Sequence, residues 1–368
     1  MSGARLGVLI VDDSPSARVL LRELVAAEPD MRVLGEASDG AEAVSMTCAL
    51  QPDVVVMDIE MPRIDGIAAT REIMRLCPTP VVLVSASLND AHVSRAVEGF
   101  SAGALTALPK PVGFGSEGAQ DAHRRFVRSL RAMAAVKVVR RYGPSSLPPS
   151  PPDPAHCPVV MGLDERRRQR PRLVAMAAST GGPAALEKIL SALPATLGVA
   201  VLVVQHITEG FVGGMARWLD GACQVRVKVA EHGERLVAGT VYLAPDGHHL
   251  GVRVGGWIHL TDGPSVGGFR PSATVLFESV ATAYGPGALG VILTGIGEDG
   301  VDGLRAIHAR GGVVLAQSEA SSVVYGMPRA AVTAGVTHRV VGLDAIAAEV
   351  LGLLRGPSPS LGGWVDGE

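Results

Sequence analysis

A cluster of seven prolines between residues 144 and 158 constrains this chain of 368 residues more than any other feature, because it separates two segments of regular patterning. Proline fixes φ and has no backbone N–H, so such a run neither continues a helix nor enters a sheet. The cluster is typical of a semi-rigid linker between domains, with a proline-motif ligand for another domain as the alternative. The length is sufficient for two domains.

Composition and charge exclude several classes of protein. Hydrophobic residues make up 47% of the chain and charged residues 19%, which is typical of globular domains. The formal net charge of −3 disfavours a general nucleic-acid binder. No apolar run reaches the ~18 residues of a membrane span, and residues 1–5 show no signal-peptide pattern. We therefore expect a cytoplasmic protein with no membrane insertion.

The cysteines show no spacing that indicates a metal or disulfide framework. We therefore expect buried thiols, with neither a zinc site nor disulfides, at all four positions: Cys48, Cys77, Cys157 and Cys223.

Short apolar strands alternate with helical patterns from residue 6 to about residue 111. The expected strands are Leu6–Val11, Val33–Glu36, Val54–Met57, Val81–Ser85 and Ala104–Leu108. This alternation predicts a doubly wound parallel sheet. Apolar positions at helical spacing over residues 121–141 predict one closing amphipathic helix.

Polar residues stand at successive strand ends in this first segment. Asp12 and Asp13 follow the first strand, Asp58 the third and Lys110 the fifth, and Ser85 ends the fourth. Strand carboxyl ends converge on one crevice in such a sheet. Three carboxylates there predict a Mg²⁺ site, and a carboxylate can accept a phosphoryl group that a lysine and a hydroxyl then hold. Each acidic residue alone is better explained as a turn former, so the prediction depends on all five together.

These residues resemble the receiver domain of two-component response regulators over residues 5 to about 125. The matching motifs are Val11–Ser14, Met57–Gly66, Val84–Ala86 and Pro109–Pro111. The resemblance implies a flavodoxin-like fold in which Asp58 takes phosphate from a histidine kinase. It also implies that Asp12 and Asp13 hold Mg²⁺ together with Asp58, while Ser85 and Lys110 read the phosphorylated state.

A second alternating α/β pattern runs from Leu173 to about Arg355. Strands are expected at 173–178, 199–205, 225–230, 289–294 and 313–317, interrupted by a β-hairpin insert made of Val241–Leu243, Leu250–Val254 and Ile258–Thr261. The pattern predicts a mostly parallel α/β sheet. The predicted organisation is a domain at 5–125, a closing helix and linker at 126–171, a domain at 172–355 and a disordered tail at 356–368.

The segment Ala178–Pro183 directly follows the apolar run Leu173–Ala177. It predicts a buried strand, a turn of small residues and a helix that begins with proline. The Ser179 hydroxyl then lies beside free N–H groups, where an attacking oxygen and an anion-stabilising cradle can share one site. A glycine-rich phosphate cradle for a nucleotide, at residues 179–182, is the main alternative.

His206 and Asp299 also follow predicted strands. An imidazole can take the serine proton, and a carboxylate can orient that imidazole. The order Ser–His–Asp differs from the common hydrolases, and Gly-x-Ser-x-Gly is absent. Taken singly, Ser179 is an N-cap candidate, His206 a strand-end histidine and Asp299 a cap for a helix over 300–309. Other candidate histidines are His232 after a strand, and His248 and His249 in a turn of the insert.

Residues 172 to about 350 resemble the catalytic domain of the chemotaxis protein-glutamate methylesterases, the CheB family. The matching segments are Ala178–Pro183, Gln205–His206, Val241–Pro245, Phe269–Ser272, Leu293–Gly295, Gly297–Gly300 and Ala316–Pro328. The resemblance implies that Ser179 is the nucleophile, His206 the general base and Asp299 the orienting acid, with Thr180 assisting the histidine. The implied substrates are glutamate methyl esters, and related glutamines, on the cytoplasmic domain of a chemoreceptor. Arg270 either contacts the acidic receptor helix or forms an internal ion pair.

The chain departs from both family patterns at a few positions. Ala107 replaces the switch aromatic three residues before Lys110, so no ring flip can occur there. Ile296 occupies a position where the methylesterase family commonly has methionine. If that position acts through its backbone N–H, Ile296 still supplies it. Residues 207–209 replace a common Met-Pro after the histidine.

The domain order implies that the unphosphorylated receiver covers the esterase cleft, and that phosphate on Asp58 shifts the balance towards an open form. The resemblance implies no cofactor in the catalytic domain. A receiver-controlled binding module without enzymatic activity is one alternative, and the same enzyme in a non-flagellar, chemotaxis-like pathway is another.

Overall fold

A computed structural model describes residues 5–85, 95–96, 98–100, 102–111, 113, 119–136 and 169–355 of the chain. The predicted proline linker and the predicted disordered tail lie outside these ranges.

The first domain contains a five-stranded sheet in the order β2-β1-β3-β4-β5, in which all neighbouring strands are parallel. Its strands are β1 (Leu6–Val11), β2 (Met31–Ala37), β3 (Val54–Asp58), β4 (Val81–Ser85) and β5 (Thr106–Pro109). The central strands are buried on both faces, which explains their unbroken Val, Leu and Ile runs. This strand order is the flavodoxin-like one, so the predicted fold is confirmed.

Within the described residues, four helices whose bounds the structure defines cover this sheet, and side-chain caps fix where three of them begin. They are α1 (Pro15–Ala26), α2 (Gly40–Leu50), α3 (Gly66–Leu76) and α4 (Ala119–Ala134). Ser14, Asp39 and Asp65 each accept a hydrogen bond from a free backbone N–H in the first turn of α1, α2 and α3 respectively. The predicted closing helix over 121–141 corresponds to α4.

The prediction of a free thiol at every cysteine was wrong. Helices α2 and α3 pack side by side, and a disulfide joins Cys48 to Cys77 with a Cα–Cα distance of 5.4 Å. The pairing depends on how two helices pack, which their 29-residue separation does not reveal. Cys223 is a free, half-buried thiol, and Cys157 lies outside the described residues.

The second domain contains a seven-stranded sheet in the order β14-β13-β12-β6-β7-β9-β8, again with parallel neighbours. Its strands are β6 (Leu173–Ala178), β7 (Ala200–Gln205), β8 (Arg226–Val229), β9 (Thr240–Leu243), β12 (Ala288–Ile292), β13 (Val313–Gln317) and β14 (Arg339–Val341). A separate antiparallel hairpin pairs β10 (His249–Arg253) with β11 (Trp257–Thr261). The assignment of Val241–Leu243 to the insert was wrong, because β9 pairs with β7 and β8 in the main sheet.

Six α-helices pack on this sheet: α5 (Gly182–Ser191), α6 (Val212–Ala222), α7 (Ala273–Tyr284), α8 (Val301–Ala309), α9 (Met327–Thr333) and α10 (Leu343–Arg355). Single 3₁₀ turns occur at Gly285–Gly287 and Glu319–Ser321. The chain enters the sheet at β6, adds β7 on one side of it and later adds β12 on the other side. The carboxyl ends of β12, β6 and β7 therefore lie side by side at a switch point of the sheet, where open α/β sheets bind ligands.

Among the helices that the structure describes, not one combines the length and apolar character needed to cross a bilayer.

Candidate active site

Ser179 lies between the end of β6 and the start of α5. Its N–H donates to the Thr294 carbonyl at 3.0 Å, and its carbonyl accepts from the Gly182 N–H at 2.8 Å. Gly181 has a φ of 74°, a left-handed conformation that favours glycine and turns the chain into the helix. The N-cap position is Gly181, not Ser179. The half-buried Ser179 hydroxyl makes no hydrogen bond to any described residue, so it is available to a ligand.

The loop after β12 approaches Ser179 closely because residue 295 is glycine. A Cβ atom at Gly295 would lie 2.7 Å from the Ser179 Cβ atom, which is shorter than any real contact. The Thr294 hydroxyl donates to the Thr180 carbonyl at 2.9 Å and ties the two loops together. Thr180 is buried, and within the described ranges no hydrogen bond joins it to His206.

His206 and Asp299 are in direct contact although they are 93 residues apart in sequence. The His206 Nε2 atom lies 2.9 Å from Asp299 Oδ2, and both side chains are almost fully buried. The His206 N–H donates to the Ala178 carbonyl at 2.9 Å, which places the histidine beside the serine loop. The Gln205 amide strengthens this junction, because its Nε2 donates to the carbonyls of Ser179 at 2.8 Å and of His206 at 2.9 Å.

Asp299 caps a helix, but not the one expected. It accepts from the Ala273 N–H at 2.7 Å and the Thr274 N–H at 3.2 Å, at the start of α7, and from the Ser272 hydroxyl at 2.7 Å. Burial acts to raise its pKa, but the hydrogen bonds from His206, Ser272 and the Ala273 N–H outweigh burial and lower the pKa to about 2. The carboxylate is therefore charged at neutral pH.

The two ring nitrogens of His206 have different surroundings. Since ionised Asp299 only accepts, Nε2 carries the hydrogen in the neutral ring. Nδ1 is buried without a hydrogen-bond partner among the described residues. That nitrogen therefore holds the lone pair that can accept a proton. The ring also stacks on Phe269, with centroids 4.0 Å apart and planes 7° from parallel.

Two other predicted residues lie at the surface. Arg270 is exposed, and its Nη1 donates to the carbonyls of Asp262 at 3.3 Å and Gly263 at 3.4 Å. It forms no ion pair within the described part of the chain, so the internal ion pair weighed as an alternative is not observed. Ile296 is also partly exposed beside the site.

The acidic pocket of the first domain brings the predicted residues together. Asp12 and Asp58 are buried and Asp13 is exposed, and one carboxylate oxygen from each lies within 4.8 Å of the others. The Lys110 Nζ atom lies 2.7 Å from Asp12 Oδ2 and 2.8 Å from Asp58 Oδ2. Ser85 ends β4, and its carbonyl accepts from the Lys110 N–H at 2.8 Å.

The environment of Asp58 raises its pKa to about 6. Burial is the largest cause and the nearby Asp12 charge adds to it, while the hydrogen bond from Lys110 opposes them. The pKa of Lys110 is also raised, because its bonds to Asp12 and Asp58 outweigh the opposing effect of burial. Lys110 offsets part of the charge of the three carboxylates, and a hard divalent cation, which favours carboxylate oxygens, fits the negative charge that remains.

The receiver contacts the second domain next to the strand-end site. The Thr208 hydroxyl donates to the Ala107 carbonyl at 2.8 Å, and the Gly181 N–H lies 3.4 Å from the Leu105 carbonyl. Val323 and Val324 pack against the receiver core that contains Leu105. Gly181 lies two residues after Ser179, and Thr208 lies two residues after His206. Val323 and Val324 lie on the adjacent loop.

Sequence reasoning missed several residues of this site. Gln205, Phe269 and Ser272 lie within segments that carry the family resemblance, and that was the signal that pointed to them. Thr208 stands at a departure from the family pattern, and its contact with Ala107 became visible only in the folded chain.

An acidic pocket in a flavodoxin-like sheet, joined to a domain with this strand-end site, defines a two-domain response regulator with a hydrolase-type output domain. Residues 8–116 match the response regulator receiver domain, and residues 174–350 match CheB methylesterase. The chain belongs to the CheB methylesterase family.

Two relatives align over nearly their whole length. The chain is 50% identical over 357 residues to protein-glutamate methylesterase/protein-glutamine glutaminase 4 of Myxococcus xanthus (strain DK1622), covering 97% of this chain and 99% of that protein. It is 49% identical over 349 residues to protein-glutamate methylesterase/protein-glutamine glutaminase 3 of Anaeromyxobacter dehalogenans (strain 2CP-C), covering 95% and 99%. The crystal structure of the Thermotoga maritima CheB methylesterase catalytic domain aligns with a TM-score of 0.48 at 32% identity, over 50% of this chain and 98% of that one.

Proposed function

We propose that this protein is a phosphorylation-activated hydrolase that removes methyl groups from glutamate 5-methyl esters on chemoreceptors, releases methanol, and deamidates receptor glutamines. The observation that carries the proposal is the buried contact between His206 and Asp299, next to the loop of Ser179, whose hydroxyl has no hydrogen-bond partner among the described residues. The names of the two close relatives agree with this activity.

The proposed chemistry needs only groups of the second domain. The Ser179 oxygen attacks the ester carbonyl carbon while His206 Nδ1 takes its proton, and Asp299 stabilises the resulting imidazolium. The imidazolium returns the proton as the methanol oxygen leaves, which produces an acyl-serine. Water then attacks that acyl group with His206 as base, and glutamate and the free serine are released. With a glutamine substrate, ammonia leaves in place of methanol.

The negative charge that develops on the carbonyl oxygen requires N–H donors. We assign the Gly181 N–H at the start of α5 to this role, since helix starts favour anions. In this structure the same N–H lies 3.4 Å from the Leu105 carbonyl of the receiver. We assign the Ile296 backbone N–H as a second donor on the opposite loop, a role that does not need a methionine side chain.

The receiver supplies the control in this proposal. Asp58 accepts the phosphoryl group from a chemotaxis histidine kinase, and Ser85 and Lys110 hold the new phosphate oxygens. Asp12, Asp13 and Asp58 would hold Mg²⁺, whose charge offsets those of the carboxylates and the phosphoryl oxygens. Loss of the Lys110–Asp58 contact on phosphorylation would alter β5, which carries Ala107. The receiver would then release the rim of the site and admit a receptor helix, where Arg270 meets acidic side chains.

A methanol-release assay on receptor membranes tests the function. The protein is incubated with radiomethylated receptor membranes and Mg²⁺, with and without a small phosphodonor such as acetyl phosphate. We expect volatile methanol to increase with the phosphodonor, and we expect Asp58→Asn to release it at the unstimulated rate under both conditions. An Asp58→Asn protein that responds as the parent does would contradict the control scheme, and no release by the parent would contradict the activity.

A further inference from the structure

His249 is a buried imidazole that the proposed chemistry does not use. It begins strand β10 of the hairpin and is 2% exposed, whereas the sequence had suggested a turn. Its Nε2 atom lies 3.0 Å from the Pro264 carbonyl oxygen. Its Nδ1 atom lies 3.2 Å from the Ser272 backbone nitrogen.

These two partners determine the state of the ring. A carbonyl only accepts a hydrogen bond and a backbone N–H only donates one. The Nε2 atom of His249 therefore carries the hydrogen, and Nδ1 holds the lone pair. A proton on Nδ1 would face the Ser272 N–H directly, so the neutral Nε2–H form is the one that satisfies both contacts.

The same two contacts join the ends of one loop, residues 264–272. This loop is mostly exposed and includes two glycines with positive φ, Gly267 and Gly268. Val266 and Phe269 also exchange backbone hydrogen bonds of 3.0 and 3.1 Å within it. The ring of His249 thus joins the two ends of this loop.

The loop carries two groups to the strand-end site. The Phe269 ring stacks on His206 at 4.0 Å. The Ser272 hydroxyl donates to Asp299 at 2.7 Å, and Asp299 contacts His206 at 2.9 Å. His249 is therefore connected to His206 through the backbone N–H and the hydroxyl of Ser272 and through the carboxylate of Asp299.

We propose that His249 is a positioning residue for the His206–Asp299 pair: as a neutral Nε2–H imidazole it joins the two ends of loop 264–272, and so fixes Ser272 against Asp299 and Phe269 against His206. It acts through those residues and does not touch the substrate. This inference rests on the proposed hydrolase activity.

Kinetics of two substitutions test this role. His249→Phe retains an aromatic ring but loses both hydrogen bonds, while His249→Gln keeps one acceptor and one donor on its amide. We expect His249→Phe to lower kcat for methanol release on the order of 10- to 100-fold, because small misplacements of reacting groups have effects of that size. KM should change less than kcat, since Phe269 and Ser272 contact the His206–Asp299 pair, while Arg270 alone in this loop is proposed to meet the substrate. His249→Gln should retain kcat within about fivefold.

The matched control is His248→Phe, the same replacement at the adjacent, exposed histidine. It should behave as the parent. A His249→Phe protein that is folded by circular dichroism and has the parental kcat would overturn the proposal, as would an equal loss in His248→Phe.

A spectroscopic measurement on the parent protein does not depend on whether the variants fold. Long-range ¹H–¹⁵N spectra of ¹⁵N-histidine-labelled protein at pH 8 are compared with those of His249→Gln, and the histidine signal that this substitution removes should show hydrogen on Nε2 alone. Hydrogen on Nδ1 of His249 would overturn the proposal even if methanol release is normal. No methanol release by the parent would contradict the proposed activity, and the spectrum would still decide the state of the ring.

Discussion

The Thr208 hydroxyl donates a 2.8 Å hydrogen bond to the main-chain carbonyl of Ala107, across the boundary between the two domains. Thr208 lies two residues after His206, and Ala107 lies three residues before Lys110. One contact therefore connects the strand that carries the phosphate-pocket lysine with the loop that carries the proposed general base. Both residues are departures from their family patterns, and they meet each other in this chain.

Thr208→Val tests whether this contact holds the receiver in place. Valine has nearly the shape of threonine but cannot donate, so the Ala107 carbonyl loses its partner. A neutral hydrogen bond contributes about 0.5–1.5 kcal/mol, which corresponds to a rise of roughly 2- to 10-fold in methanol release without phosphodonor. The rate with phosphodonor should not change. Thr282→Val, at an exposed position of helix α7, is the control. An unchanged basal rate in Thr208→Val would contradict the role.

Asp299→Asn tests the carboxylate of the strand-end site. The amide keeps the shape of the carboxylate but carries no negative charge to hold and stabilise the His206 ring. We therefore expect kcat to fall on the order of 10³- to 10⁴-fold. Because the pKa of Asp299 is about 2, the carboxylate stays ionised in the parent across the usual assay range. Stopped assays from pH 5 to pH 9 should therefore show no loss of parental activity that follows titration of Asp299. A kcat within tenfold of the parent would contradict the assignment.

The raised pKa of Asp58 predicts a stability change with a definite sign. The folded carboxyl has a pKa of about 6, against 3.8 for its ordinary value. The folded state therefore binds this proton more tightly than the unfolded chain, so the ionised group destabilises the fold as pH rises from about 4 through 6. Asp58→Asn removes this cost and should raise the free energy of unfolding by on the order of 1–2 kcal/mol at pH 8, and by less at pH 5.

Urea unfolding in the absence of Mg²⁺ at the two pH values measures this effect, with the exposed Asp344→Asn as control. If Asp58→Asn raised the free energy of unfolding at pH 5 by as much as at pH 8, or by more, the raised pKa of Asp58 would be contradicted.

The disulfide between Cys48 and Cys77 predicts a redox-dependent stability of the receiver. It closes a loop of 29 residues, for which chain entropy gives about 3.6 kcal/mol as an upper figure. Reduction, or a Cys48→Ser/Cys77→Ser double substitution, should lower the free energy of unfolding of the receiver by 1–3 kcal/mol. Cys223→Ser is the control, and equal urea midpoints with and without reductant would contradict the prediction.

Much of the fold was predictable because its strands are buried on both faces and read as unbroken apolar runs, as at Val54–Met57 and Leu173–Ala177. The acidic pocket was predictable for a related reason: parallel strands end at one edge, so the residues after them meet. The same logic brought Ser179, His206 and Asp299 to neighbouring strand ends.

Contacts that depend on how separate elements pack were not predictable. The Cys48–Cys77 pair needs the packing of two helices, and the Thr208–Ala107 contact needs the docking of two domains. The sequence pattern assigns His249 to a turn because the alternation of apolar and polar residues in the hairpin is short. Its two hydrogen-bond partners come from the loop that follows β11. Contacts of this kind, between a strand and a loop that folds back onto it, are not visible in any short stretch of sequence.

The central claim is that the Ser179 oxygen is the nucleophile that forms the acyl-serine, and methanol release by Ser179→Ala tests it most directly. Ser191→Ala, at the far end of helix α5, is the matched control. With radiomethylated receptor membranes and phosphodonor, we predict a loss on the order of 10⁴- to 10⁶-fold for Ser179→Ala and none for the control. Release by folded Ser179→Ala within tenfold of the parent would contradict the account.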